Sequence, residues 1–259
     1  MVFLGFAGFF SCKQPVDIRN SLLKNGITEE SIQKGKELLN LMEKAYGGRS
    51  QWEQYRYGEF TQKADWYGRK EISHWDTLPQ LFHLKCELGS NNAAMTILNG
   101  NTQGNKYWIN DNVFEQQIGS EQKSEVEKNS YHEKMIYKNY WFQFPFRIRE
   151  ATIISYGGKE VLNGQTYELL YATWGEEKAN KEYDQFLLYL NKSTYQIEKL
   201  HFTVRDKMGG VSLTAEFRDF RKVDEFLLPF SQHVRKGKPS KNGIKLHENH
   251  YQDIKFTSQ

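Results

Sequence analysis

The residues able to do chemistry are scattered along the chain rather than grouped. His74, His83, His132, His201 and His233 each stand without a neighbouring cysteine or a paired-carboxylate motif. His247 and His250 are three apart in a segment of strand character. There a two-residue side-chain period sends them to opposite faces, so they are poor co-ligands for a metal. No H-E-x-x-H helix, G-x-S-x-G turn, phosphate-binding loop or dinucleotide fingerprint occurs. Asp219 and Asp224 suit a strand end and a turn better than paired acid–base work. No catalytic residue, metal or cofactor is expected.

The two cysteines differ in setting. Cys86 shares an alternating apolar face with Phe82 and Leu84, the setting of a buried structural thiol. Cys12 follows Ser11 at the end of the uncharged run VFLGFAGFF, and the chain turns polar at Lys13. The run has the character of a signal-peptide core and about half the ~20 residues needed to span a bilayer. Apolar run, small residue, cysteine and abrupt polarity together resemble the lipobox of bacterial lipoproteins. That resemblance implies cleavage before Cys12 and acylation of its thiol. Each buried acyl CH₂ contributes ~0.8 kcal/mol, so several chains would anchor the protein without a spanning helix. A buried N-terminal strand with a free Cys12 is the alternative.

Composition narrows what else must surround these residues. The chain has 259 residues, 26% of them charged, with a formal net charge of +3. That charged fraction excludes a bundle of membrane-spanning helices. With 17 Phe, 15 Tyr and 6 Trp, wholesale disorder is excluded as well. The basic cluster Arg235-Lys236-Gly237-Lys238, with Lys241 beyond it, reads as a solvated hairpin tip. Contact with anionic lipid headgroups is its functional alternative. The small net charge and the leader argue against nucleic acid.

Residues 13–27 read as a tether. Thr28 then caps a helix, with Glu29 and Glu30 in its first turn, apolar positions from Ile32 to Ala45 at helical spacing, and Gly47-Gly48 as the stop. From Trp52 the pattern is short strands, expected at 55–64, 69–76, 80–88, 93–98, 105–110 and 113–118. Asn99-Gly100 and Asn110-Asp111-Asn112 mark turns between them. Phe82, Leu84, Cys86 and Leu88 oppose His83, Lys85 and Glu87, as in an antiparallel sheet with one wet face. A second helix is expected over 121–142, with Ser124 and Glu127 at capping-box spacing and Pro145 ending it. The aromatic run from Tyr140 to Phe146 then reads as a plug docking that helix. Strands resume at 151–156, 166–174, 185–190, 195–205, 211–220, 226–235 and 244–256, with Asn163-Gly164 and Asn242-Gly243 as hairpin signals.

Strands and helices do not alternate, which excludes parallel α/β folds. The expected class is α+β: one strongly curved antiparallel sheet of about 11–13 strands, a half-barrel, with two main helices covering its concave face. Several segments carry a family resemblance. They are Ala45-Tyr46-Gly47-Gly48 with Trp52, Gly104-Asn105-Lys106-Tyr107-Trp108, the hairpin Leu188–Ile197, and Phe217–Pro229. With them the chain resembles the LolA/LolB-like superfamily of periplasmic lipoprotein carriers and outer-membrane lipoprotein receptors, nearest an uncharacterised envelope lipoprotein branch. The resemblance implies a cavity for acyl chains or another apolar ligand, an outer-membrane location facing the periplasm or cell surface, and no enzymatic role. Three units are expected: a short lipoprotein-type signal 1–12, the tether 13–27, and one half-barrel domain 28–259. Phe82, Leu84, Leu200, Phe202, Leu213 and Phe217 are the candidate cavity lining, suited by their apolar character. An interaction module with a dry core is the competing reading, and a hydrolase a remote one.

Overall fold

The computed structural model describes residues 14–68, 73, 75–205, 211–239 and 243–258. The leader with Cys12, most of the strand expected at 69–76, His74, Lys241 and the 206–210 turn lie outside them.

Thirteen antiparallel strands make one sheet. The first six are β1 (Tyr55–Trp66), β2 (Gln80–Glu87), β3 (Ala93–Ile97), β4 (Lys106–Asn110), β5 (Val113–Gln117) and β6 (Ser124–Glu125). The rest are β7 (Ile153–Leu162), β8 (Gln165–Thr173), β9 (Gln185–Asn191), β10 (Ile197–Val204), β11 (Val211–Val223), β12 (Phe226–Lys236) and β13 (Lys245–Ser258). Within the two meanders β1–β6 and β7–β13 each strand pairs with its neighbours in sequence, and the meanders join where β1 pairs with β13. β6 and β7 are left as edges, so the sheet curls without closing into a barrel. Asn163 and Gly164 at the β7–β8 turn, and Asp111 and Asn112 at the β4–β5 turn, all have positive φ, as tight hairpins require.

Alternation is strict where one face is wet. Gln80, Phe82, Leu84 and Cys86 of β2 are buried, while Leu81, His83, Lys85 and Glu87 are part-exposed. On β13 the register slips beside Asp253, which has φ 51°. This bulge lets Ile254 keep the inward direction that Asn249 and Tyr251 have before it.

The inner face is covered by α2 (Glu29–Ala45) and α4 (Ser130–Arg147), with the short α3 (Arg49–Trp52) between α2 and β1. Thr28 and Ser31 form a reciprocal capping box on α2. Gly35 lets α2 lie on the backbone of β7, since a Cβ there would meet the Ser155 carbonyl carbon at 2.8 Å. Leu38, Leu39 and Met42 then bury against the sheet, each contributing about 1.5–3 kcal/mol.

The second long helix corrects two sequence expectations. It begins at Asn129, whose side chain accepts from the Tyr131 N–H. Ser124, expected as its cap, instead pairs with β5 as part of β6. Pro145 lies inside the helix rather than ending it, and the aromatic run is its last two turns. Burial of Phe142 and Phe146 against Trp52 and of Phe144 on the other side against Phe186 outweighs the single backbone bond that proline cannot make. Ile148–Glu150 close the segment as a 3₁₀ turn.

Residues 14–27, expected as a tether, are docked on the outer face of β8 and β9. Ile18 and Leu23, the latter in α1 (Ser21–Lys24), pack with Tyr167, Leu169, Tyr171, Leu187 and Tyr189. The Ile18 N–H donates to Gln185 Oε1 at 3.0 Å, and Arg205 donates to the Val16 carbonyl at 2.7 Å. β8 and β9 are therefore buried on both faces, the reason their sequence lacks clean alternation.

Candidate functional site

Helix α4 is the element around which a site is built. Its flank toward the β2–β3 loop is polar. Gly89 N–H donates to Gln143 Oε1 at 2.7 Å, Asn139 Nδ2 donates to the Ser90 carbonyl at 3.1 Å, and Arg147 donates to Ser90 and Asn91 at 3.1 and 2.9 Å. Asn139 and Gln143 also bond one another, and both are fully buried. Unpaired, such amides would each cost about 1–3 kcal/mol; here they latch the helix to a loop backbone.

The opposite flank is aromatic. Trp141 lies edge-on to Phe202 at 5.1 Å and tilts against Phe217 at 6.3 Å, and Phe144 meets Phe186 at 5.8 Å. Between this flank and β11–β13 runs a narrow cleft walled by Trp141, Pro145, Phe217, Leu228 and Ile254, with Tyr251 among its lining residues. It leaves about 20 Å³ open, room for roughly one water molecule. Pro145 has no N–H to give the Trp141 carbonyl, so the α4 backbone is weakest where it forms the cleft wall.

The end of α4 is tied down by a charge cluster. Glu43 of α2 accepts from Arg49 at 2.7 Å and from Arg149 at 2.7 and 2.9 Å, and Arg49 also donates to the Phe146 carbonyl. Both carboxylate oxygens are thus occupied, which makes the cluster structural rather than catalytic.

The residues expected to line a cavity fall in two places. Phe82 and Leu84 are fully buried on β2, and Leu200, Phe202 and Leu213 are buried on β10 and β11, all in the main core. Among the six, Phe217 alone borders the cleft, with Phe202 one ring behind it. Cys86 is enclosed, and desolvation pushes its thiol far above the ordinary range. Sequence reasoning did not find Trp141, Pro145, Leu228, Tyr251 or Ile254 as lining, because the first two were assigned to a plug and a stop and the others to a regular strand pattern.

The described histidines are more connected than their spacing suggests. His247 stacks on Trp66 at 5.5 Å, whereas His250 lies 6.1 Å from His233. His201 is buried, and desolvation lowers its pKa to about 4. On β12, Ser231 Oγ and His233 Nε2 are 2.9 Å apart, and His233 Nδ1 is 2.7 Å from Glu248 of β13. The carboxylate can only accept, so Nδ1 donates to it and Nε2 is left to accept from the serine. That is the order of groups in nucleophilic hydrolases. Here, however, Ser231 is buried and its strand is paired on both sides, with Arg218 and His250 opposite it. Such a ladder offers no cradle of free N–H groups for an oxyanion. Among the described residues no three His, Cys, Asp or Glu side chains converge as a metal site, and no helix is long and apolar enough to cross a membrane.

The likeness to known proteins agrees with this architecture. A LolA superfamily protein from Nitrosomonas europaea matches over 87% of this chain and 94% of its own, with a TM-score of 0.57 at 13% identity. An outer membrane lipoprotein-sorting protein domain from Vibrio parahaemolyticus matches over 87% and 93%, with a TM-score of 0.55 at 13% identity. A DUF1329 family protein from Desulfovibrio piger matches over 87% and 93%, with a TM-score of 0.54 at 12% identity. The fold is that of the LolA superfamily. None of the curated proteins matches the sequence. The chain belongs to the family of unknown function DUF6503, whose model matches residues 28–249.

Proposed function

We propose that this DUF6503 protein is a non-enzymatic lipoprotein of the bacterial envelope that binds an apolar ligand between α4 and the C-terminal half of its sheet. The observation that carries the reading is the aromatic cleft along α4, walled mainly by rings and aliphatic side chains, with the Tyr46 hydroxyl at its end accepting from the Ile197 N–H at 3.2 Å. At about 20 Å³ the closed cleft is too small for an acyl chain, so binding requires the aromatic flank of α4 to lift. The polar latch on the other flank supplies a fixed edge for that movement. The anchor in this reading is Cys12, supported by the apolar leader and the small residue before it. Membrane contact then comes through acyl chains, and no cofactor or nucleic acid is involved.

A neutral apolar dye, N-phenyl-1-naphthylamine, tests the cleft directly. Its fluorescence should rise on titration into the protein and fall on competition with a long-chain ester. Native mass spectrometry of the full chain from envelope extracts should show an acylated Cys12 and a co-purifying apolar molecule. A bare mass and no dye binding would favour the second reading, an interaction module with a dry core, which the small volume of the closed cleft supports.

A further inference from the structure

Beyond the apolar cleft, the same inner face carries a buried polar patch that the packing of the fold does not explain. Lys138 points from α4 onto the sheet, where its ammonium donates to Asn249 Oδ1 at 2.7 Å and lies 5.8 Å from the centre of the Phe82 ring. Asn249 is itself buried, and its Nδ2 donates to Gln232 Oε1 at 2.7 Å. Beside them on β1, between Phe82 and Tyr251 in the ladder, stands Gln62, with no exposed surface. Neither its amide oxygen nor its amide nitrogen makes a hydrogen bond of good geometry among the described residues, although the Tyr251 hydroxyl is near. A buried amide left in that state is costly and calls for a partner.

The charge is unbalanced in the same way. No described Asp or Glu forms an ion pair with Lys138, and desolvation together with the charge of Lys134 lowers its pKa to about 7. Lys134, one turn earlier, has its ammonium 3.7 Å from the Trp75 ring centre. A desolvated cation is retained when something anionic can reach it.

Patch and cleft are continuous. Trp141 follows Lys138 by one turn of α4, about 4.5 Å along its axis, and lines the cleft; Tyr251, next to Gln62, lines it too. We infer that the ligand is an amphiphile with an acidic head group, a carboxylate or a phosphate monoester, seated against Lys138 and the amides of Gln62 and Asn249, with its tail along Trp141 and Phe217. The ammonium and the Gln62 NH₂ group donate to the anionic oxygens, while the Asn249 NH₂ stays committed to Gln232 and His247 and its oxygen holds the ammonium in place. This inference rests on the proposed binding function and narrows it to one class of ligand.

Four twelve-carbon probes test it against the full chain by isothermal titration: dodecanoic acid, dodecyl phosphate, methyl dodecanoate and dodecanol. At least one of the two acids should bind about tenfold more tightly than the ester and the alcohol. Whichever acid leads identifies the head group as carboxylate or phosphate. K138Q should lower affinity for the leading acid about tenfold more than for the alcohol, so that the preference disappears, and K138R should restore it. Equal affinity for all four probes, or a preference that survives K138Q, would overturn this inference and leave the apolar site standing. Failure of all four to bind would overturn the binding function itself.

Discussion

The two flanks of α4 are held by different forces. Toward the β2–β3 loop, Asn139, Gln143 and Arg147 make directional bonds to backbone groups of residues 87–92. Toward β9–β11 the helix is held by rings, and among the described residues its positions 138–147 make no hydrogen bond or ion pair with β9–β12. Directional bonds fix one position and fail when it changes. Ring contacts lose little over small displacements, because dispersion and burial depend weakly on angle. The movable flank is therefore the aromatic one, and the cleft lies along it.

Deleting a ring from the movable flank should have the largest effect. Phe144→Ala is expected to cost about 4 kcal/mol in urea unfolding, since the side chain is fully buried and leaves a cavity. If the comparison holds, hydrogen exchange should speed up over residues 140–147 and stay slow in the 87–92 loop. Equal loosening of both would contradict it. Glu43→Ala should cost about 2–3 kcal/mol by removing the buried carboxylate that Arg49 and Arg149 share, with only the exposed Glu53 left to pair with Arg49. Because that cluster ends α4 for both flanks, exchange should rise on both.

Gln143→Ala removes the acceptor of the Gly89 N–H and a donor to the Glu87 carbonyl. It should cost about 2 kcal/mol and loosen the loop first, the reverse of the ring deletion. The smallest effect belongs to pH. Burial and the neighbouring Lys138 hold the His247 pKa below its ordinary value. As pH falls below about 6.5 the unfolded chain takes up that proton before the folded one, so stability declines toward acid. His247 is half-buried, so solvent screening keeps the loss between pH 7 and 5 under about 1 kcal/mol. His247→Phe, which keeps a ring on Trp66, should flatten that part of the stability profile.

Much of the scaffold was legible in the residues. The alternation of Phe82, Leu84 and Cys86, the Thr28 cap and the Asn-Gly turn at 163–164 each reflect forces local to a few residues. The site was less so. Trp141 and Pro145 were misread because proline usually stops a helix, a preference that three buried phenylalanines override. Ile254 was hidden by the bulge at Asp253, which shifts the strand period at one residue. The latch of Asn139 and Gln143 depends on a loop some fifty residues away in sequence, and the contact of His233 with Glu248 on strand register. No short-range pattern encodes either.

If Cys12 carries acyl chains, as proposed, the docked N-terminal segment sets how the molecule sits on a bilayer. Ile18 is clamped to the outer side of β8 and β9, only six residues after Cys12. Even fully extended, that stretch reaches roughly 20 Å. A lipidated Cys12 would thus hold the domain like a sign on a short bracket, with the β8–β9 shoulder turned to the headgroups and little freedom to swing.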